Sequence, residues 1–300
     1  MRVLNFGSLN IDHTYRLSHF PLPGETMSAD SYQIYCGGKG LNQSVALGKS
    51  GAPVCHAGQI GKDGAFLAEF LQESGVDTHL IRTVDTPTGH AIIEVTDSAQ
   101  NSIVLFDGAN KALTREFVDQ VLGEFSAGDA LVLQNEINEM PYILKQAHAR
   151  GMRIFFNPAP CHEAVHSDPL QTVDYLVVNE TEAMGLTGAA SPAAAVEALQ
   201  HDRPSGIVIV TLGHDGSCAV TPDGLLRCGT YRVKAVDTTA AGDTYMGYLV
   251  SAIMNGAARE DAMRTAAKAA AIAVTRAGAG SSIPQREEVE RTVLDYSEPE

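Results

Sequence analysis

The segment Val236-Asp-Thr-Thr-Ala-Ala-Gly-Asp-Thr-Tyr-Met-Gly247 sets Ala-Ala-Gly directly before an acid, where a helical pattern begins. With a helix starting near Gly242, the N–H groups of Ala240, Ala241, Gly242 and Asp243 point into the space ahead of it and make an anion site. A phosphoryl group in transfer gathers charge on its oxygens, which fixed donors of this kind stabilise. Asp243 then stands where it takes the proton of an attacking hydroxyl. Read only as a favourable charge at a helix N-terminus, Asp243 would leave Ala-Ala-Gly without a reason.

Other stretches offer partners for that chemistry. Cys36-Gly-Gly-Lys-Gly-Leu-Asn42 opens a second helix; its glycines permit close approach of a ligand, and Lys39 and Asn42 offer donors beside Gly38. Gly7-Ser-Leu-Asn-Ile-Asp12 reads as the end of the first strand, with Asn10 and Asp12 on one side of it. A tight turn accounts for either stretch equally well. Asn179-Glu-Thr-Glu182 follows a strand directly. It is either a capped helix start or an amide and a carboxylate near a metal–phosphate group. Thr211-Leu-Gly213 ends another strand, and Gly213 to Gly216 could lie against a nucleotide.

Two pattern matches are rejected. His162-Glu-Ala-Val-His166 fits the zinc-protease spacing, but Pro160 and Pro169 leave too little helix to set both imidazoles on one face. Gly48-Lys49-Ser50 looks like the end of a phosphate-binding loop, yet Gln43 stands where that loop needs glycine. The triplet closes a helix rather than opening one.

The elements that must carry these residues alternate along the chain. Apolar runs at Val3–Phe6, Val54–Gly58, Ala130–Leu133, Ile154–Phe156, Tyr175–Val178 and Ile207–Thr211 read as buried strands. Helical periodicity marks Leu41–Ser50, Ala65–Glu73, Thr114–Leu122, Met140–Ala149 and Pro192–Leu199. The alternation predicts an α/β/α sandwich around a mainly parallel sheet. A hairpin, Gly216–Val220 with Leu225–Cys228, and two helices, Gly242–Asn255 and Arg259–Arg276, complete it. Thr14–Cys36, Thr88–Val95 and Ser102–Phe106 break the alternation and read as a small β lid over the strand ends. The main domain is then 1–12, 38–87 and 108–300, and the lid 13–37 and 88–107.

Composition bounds the partners. A formal charge of −15, no Trp and few aromatics argue against nucleic acid. Five scattered cysteines, none in a Cys-x-x-Cys pair, suggest reduced thiols. No apolar run approaches the roughly 20 residues of a membrane span, so a cytoplasmic protein is expected, with no membrane partner.

Taken in order, GSLNIDHTYRL, FPLPGET, GGKGLNQSVALGKSGA, GAN at 108–110, NPAP at 157–160, NETEA, TLGHDG, VDTTAAGD and AIAVTRAGAGSSIP resemble the ribokinase/PfkB family of carbohydrate kinases through nearly the whole chain. The resemblance implies a ribokinase-like fold and ATP-dependent transfer of a phosphoryl group to the primary hydroxyl of a pentose, D-ribose foremost. It assigns Asn10, Asp12, Gly38, Lys39, Asn42 and Glu136 to the sugar, Asp243 to the base, and Ala240 to Gly242 to the anion hole. Asn179, Glu182, Thr211, Gly213, Gly216, Gly242 and Ala267 fall to ATP, with Glu182 toward Mg2+ through water. Asp237, Thr239, Ala273, Arg276, Gly278 and Ser282 match a monovalent-cation loop, usually holding K+. The family's lid also forms a homodimer contact. His90 departs from the pattern: it is either a lid-surface residue or a group facing the sugar. Another sugar, a nucleoside such as adenosine, or a non-catalytic sensor on the same fold remain as alternatives.

Overall fold

The computed structural model describes residues 1–98, 100–161, 165, 168–202 and 206–299. The chain runs β1 (Val3–Phe6), β2 (Asn10–Leu17), β3 (Ser31–Gly37), α1 (Lys39–Lys49), β4 (Val54–Ile60), α2 (Ala65–Glu73), β5 (Asp77–Thr83), β6 (Gly89–Thr96) and β7 (Asn101–Phe106). It continues through α3 (Arg115–Gly123), β8 (Ala130–Gln134), α4 (Met140–Ala149), β9 (Arg153–Asn157), β10 (Tyr175–Asn179), α5 (Glu180–Thr187), α6 (Pro192–Asp202) and β11 (Ile207–Thr211). The last part holds β12 (Ser217–Thr221), β13 (Gly224–Cys228), β14 (Thr230–Tyr231), α7 (Ala241–Met254), α8 (Arg259–Ala273), α9 (Arg286–Arg291) and β15 (Tyr296–Ser297).

Nine strands form the central sheet in the order β13-β12-β11-β10-β9-β8-β1-β4-β5. From β11 to β5 every pairing is parallel; β12 and β13 are the antiparallel hairpin. Parallel strands need both faces covered, and their continuous Val/Ile/Leu runs reflect that. Leu41, Val45, Leu71, Tyr248, Leu249 and Met263 bury one face under α1, α2, α7 and α8. Phe117, Val121, Ile143, Ala183 and Leu199 bury the other under α3 to α6. This is the expected α/β/α sandwich around a mainly parallel sheet.

A separate four-stranded sheet, β3-β2-β6-β7, stands beside it. β2 pairs parallel with β6 and antiparallel with β3. Two expectations change here. The first strand ends at Phe6, so Asn10 and Asp12 belong to β2 of the small sheet rather than to the end of β1. The small sheet therefore begins inside the 1–12 segment assigned to the main domain. Gly48-Lys49-Ser50 does close α1, with Ser50 as its C-cap. Most of the His162–His166 segment lies outside the described residues.

Candidate active site

The parallel strands deliver their carboxyl ends to one edge of the sandwich, where open α/β sheets bind ligands. Ser8 follows β1, Glu136 follows β8, Asn157 ends β9, Asn179 ends β10 and Thr211 ends β11. Helices α1 and α7 start at this edge and carry the residues that meet there. Gly40 lets α1 begin against the end of β1: a Cβ there would collide with the backbone of Gly7 and Ser8, and the Leu41 amide donates to the Ser8 carbonyl at 2.9 Å.

The position of α7 depends on a second glycine. A Cβ on Gly247 would meet the Ala46 side chain and lie 2.9 Å from the Leu47 nitrogen, so α7 packs closely on α1 only because Gly247 has none. One turn earlier on each helix, that approach sets Asp243 beside Asn42 and Gln43. Asn42 Nδ2 donates to Asp243 Oδ2 at 3.2 Å, and Gln43 Nε2 donates to Oδ1 at 3.0 Å. Asp243 is 6% exposed. Its carboxylate is the largest influence raising the Lys39 pKa, followed by burial, which opposes it, and by Glu136 and Glu182, which add to it.

Ala240 caps α7 in the left-handed region, φ 59°, which is strained for a residue with a Cβ. The Ala241 amide donates to the Thr238 carbonyl at 3.2 Å, so this member of the expected anion hole is partly engaged. The amides of Gly242 and Asp243, in the first turn of α7, have no carbonyl one turn back within the helix. A Cβ on Gly242 would find nothing within 4 Å, so the space before the helix is open.

The sugar candidates gather on one side of Asp243. Glu136 Oε2 accepts from the Lys39 amide at 2.9 Å and from the Ser8 hydroxyl. Burial pushes the Glu136 pKa up against those bonds. Burial, then the nearby Glu136, pushes Asp12 up to about 7. Asn10 Oδ1 accepts from Asn110 Nδ2 at 2.7 Å, and Asn110 Oδ1 accepts from the Leu9 amide at 2.9 Å. Gly38, φ 93°, lies close to the Ser8 and Asn10 backbone. Asn42 Oδ1 is buried without a partner, an acceptor waiting for a donor.

On the other side lies a cavity of about 740 Å³ lined by Thr211, Gly213, Gly216, Gly242, Tyr245 and Ala267 among others. Five of the seven residues assigned to ATP thus share one cavity. Asn179 and Glu182 do not line it. They form a capping box at the start of α5, with Asn179 Oδ1 accepting from the Glu182 amide at 2.8 Å and Glu182 Oε2 from the Asn179 amide at 3.0 Å.

The loops around 237 and 278 are tied by one carboxylate. Asp237 Oδ1 accepts from the Thr239 amide at 2.9 Å and Oδ2 from the Gly278 amide at 3.0 Å. Burial opposes ionisation of Asp237, but the bond from the Thr239 hydroxyl, followed by those from the Gly278 and Thr239 amides, outweighs it and holds its pKa below the ordinary value. The Arg276 side chain bonds Glu288 at 2.6 Å, leaving its carbonyl rather than its guanidinium for any ion. Ser282 Oγ donates to the Ala279 carbonyl at 2.9 Å. Lys49, at the far end of α1, donates to the Gly280 and Ile283 carbonyls at 3.2 and 2.8 Å.

His90 pairs in register with Ile11 and Phe106, whereas Asp12 pairs with Ala91. Paired residues share a face, so His90 stands on the opposite face of the small sheet from Asp12. It packs against His13 and Phe106 there.

A pfkB family carbohydrate kinase pattern matches residues 2–286. The chain belongs to that family. The ribokinase of Haemophilus influenzae is 39% identical to this kinase over 292 residues, covering 94% of the chain and 95% of the relative. The deoxyribokinase of Salmonella typhi is 32% identical over 298 residues, covering 96% and 97%. The structure of Arabidopsis thaliana ribokinase complexed with ribose and ATP matches this kinase with a TM-score of 0.87 at 30% identity, covering 97% of each chain. This is a carbohydrate kinase of the ribokinase family.

Ser8, Gln43, Asn110, Gln134 and Asn157 were not singled out from sequence, yet they join the polar framework of the site. The available signal was an amide inside an apolar strand run, as in Leu4-Asn5-Phe6 and Leu131-Val-Leu-Gln134.

Proposed function

We propose that this kinase transfers the γ-phosphoryl group of ATP to the primary hydroxyl of a pentose, converting D-ribose to D-ribose 5-phosphate. The reading rests above all on the buried Asp243 carboxylate at the mouth of α7, between the Asn10–Asp12–Lys39–Asn42–Glu136 group and the cavity beside Gly242. Asn42, Asn10, Lys39, Asp12 and Glu136 orient the sugar by its hydroxyls, with Gly38 giving it room. Asp243 accepts the proton of the attacking hydroxyl as the oxygen bonds to phosphorus. The bond from phosphorus to the bridging oxygen of ADP breaks, and the amides of Gly242 and Asp243 stabilise the charge on the transferring oxygens. Thr211, Gly213, Gly216 and Ala267 hold the nucleotide.

Two ions fit the donor chemistry. Glu182 carries the carboxylate that would hold Mg2+ through water, near Asn179, and the ion would neutralise phosphate charge when bound. The Asp237 carboxylate, Ser282 hydroxyl and carbonyls of Thr239, Ala273, Arg276 and Gly278 are hard oxygen donors suited to an alkali ion such as K+. A homodimer through the small sheet is supported by its uncovered apolar face: Tyr32, Ile34, Ile92, Val104 and Phe106 are each at least 40% exposed.

The deoxyribokinase relative makes 2-deoxyribose the second reading for the acceptor. ADP release measured over ribose, deoxyribose, other sugars and adenosine decides between them; highest kcat/KM on ribose is expected, and absence of turnover on all of them would overturn the kinase reading. Asp243→Asn is expected to lower kcat on the order of 10²–10⁴-fold, with sugar still bound in calorimetry. Near-normal turnover would remove Asp243 from its role.

A further inference from the structure

Asp243 is the end of a chain of buried amides whose direction is fixed at its roots. Asn5 Nδ2 donates to the Gly40 carbonyl at 2.7 Å and to Ser44 Oγ at 2.7 Å. A carbonyl only accepts, so the Asn5 amide sits one way round. Its Oδ1 then accepts from Gln134 Nε2 at 2.9 Å, and the same nitrogen donates to Gln43 Oε1 at 2.7 Å. Gln43 is left with its Nε2 toward Asp243 Oδ1 at 3.0 Å and Asn157 Oδ1 at 3.3 Å. Asn157 is fixed in turn, its Nδ2 donating to the Val177 carbonyl at 2.9 Å. Two backbone carbonyls therefore decide the orientation of four side-chain amides. Reversing Gln43 would set an oxygen against the carboxylate and a nitrogen against Gln134 Nε2.

Asn5, Gln43 and Gln134 are all 0% exposed, so water does not compete along the chain. Gln134 Oε1 has no partner in this arrangement. A buried orphan acceptor is unfavourable, and one kept at the hinge of such a chain asks for a reason. Beyond Ser44 lies His56 Nδ1, at 2.7 Å, on an imidazole that burial holds neutral, its pKa pushed down to about 3. His56 therefore brings no charge to the network, and Lys39 and Glu136 are the titratable neighbours of Asp243.

We propose that Gln43 is a positioning residue for phosphoryl transfer, held in donor orientation by Gln134 and Asn5, and that this amide chain fixes the plane of the Asp243 carboxylate toward the acceptor hydroxyl. The inference rests on the reading of Asp243 as the base. A carboxylate free to turn spends less time in the reactive geometry, which lowers kcat without changing the contacts that bind sugar or ATP.

Gln134→Met keeps the length and volume of the side chain and removes the donor to Gln43; Gln134→Glu serves where the first variant fails to fold. With the best acceptor of the panel and ATP, kcat is expected to fall about 10- to 100-fold, with both KM values within about twofold of the parent. In the double variant with Asp243→Asn, the Gln134 substitution should cost nothing further, because no base is left to position. An unchanged kcat, a loss carried by KM, or multiplicative losses in the double variant would overturn the proposal while leaving Asp243 as the base. Near-normal turnover of Asp243→Asn alone would overturn both.

Discussion

The junction of α1 with α7 and the small β2–β3–β6–β7 sheet stand on two sides of the same site and are built in opposite ways. At the junction the helices touch through Gly247 and Ala46, the side chains of Gln43, Gln134 and Asn5 are sealed from solvent, and Asp243 alone keeps a small exposed edge. The small sheet leaves Ile34, Ile92, Val104 and Phe106 well exposed on one face, whose inner end, Ile11 and Cys36, packs on the main core. Yet it supplies Asn10 and Asp12 from its other face. Proton transfer needs geometry fixed to fractions of an ångström, which dense packing supplies. Covering a sugar needs a surface able to exist without it.

The largest effect expected from breaking this contrast is at the junction. Gly247→Val forces backbone and side-chain atoms of α1 away and should destabilise the protein by about 1–3 kcal/mol or more. Calorimetry should report a fall in Tm, and turnover should fall further than stability alone explains. A variant of unchanged Tm would mean that the helices are not held at contact distance.

Asp12 tests the opposite side. Its pKa, raised to about 7 by burial and Glu136, means that ionising it costs the folded protein. That cost is absent below the unfolded carboxylate value of about 4, grows as pH rises, and is complete above 7. Asp12→Asn should therefore raise Tm at pH 8 and leave it unchanged near pH 4, while raising the sugar KM. Equal changes at both pH values would show that the carboxyl is not ionising against its surroundings. Next in size, Val104→Asp should weaken self-association in sedimentation experiments by about tenfold or more, with secondary structure intact. An unaltered sedimentation profile would overturn the proposed dimer through the small sheet. The smallest effect belongs to Ala240→Gly, which relieves a left-handed alanine. It should shift stability by no more than about 1 kcal/mol in favour of the fold; a clear loss of stability would contradict the strain.

Sequence reading reached the junction more easily than the small sheet. β1, β4 and β8 to β11 are largely apolar runs because both faces are covered, and α1 to α4 keep a one-sided apolar pattern. β5 was missed: Asp-Thr-His-Leu-Ile-Arg-Thr83 sits at the sheet edge and exposes much of its length. β2 was begun too late because Asn10 and Asp12, at its start, are polar and interrupt the apolar alternation. The two-stranded pairing of β14 with β15 gave no signal, since two residues a side carry no period. Gln43 and Gln134 escaped for a different reason. The value of a buried amide depends on which atoms surround it, and spacing does not encode that.

Helix α1 has one property that reaches beyond its own packing. Its first turns hold Asp243 through Asn42 and Gln43, and its last residue, Lys49, grips the 280–283 loop. Inserting a single residue midway would rotate one half against the other by about 100° and uncouple the two. A change of acceptor within this architecture is therefore reached by exchanging side chains, such as those of β2, without altering the length of α1.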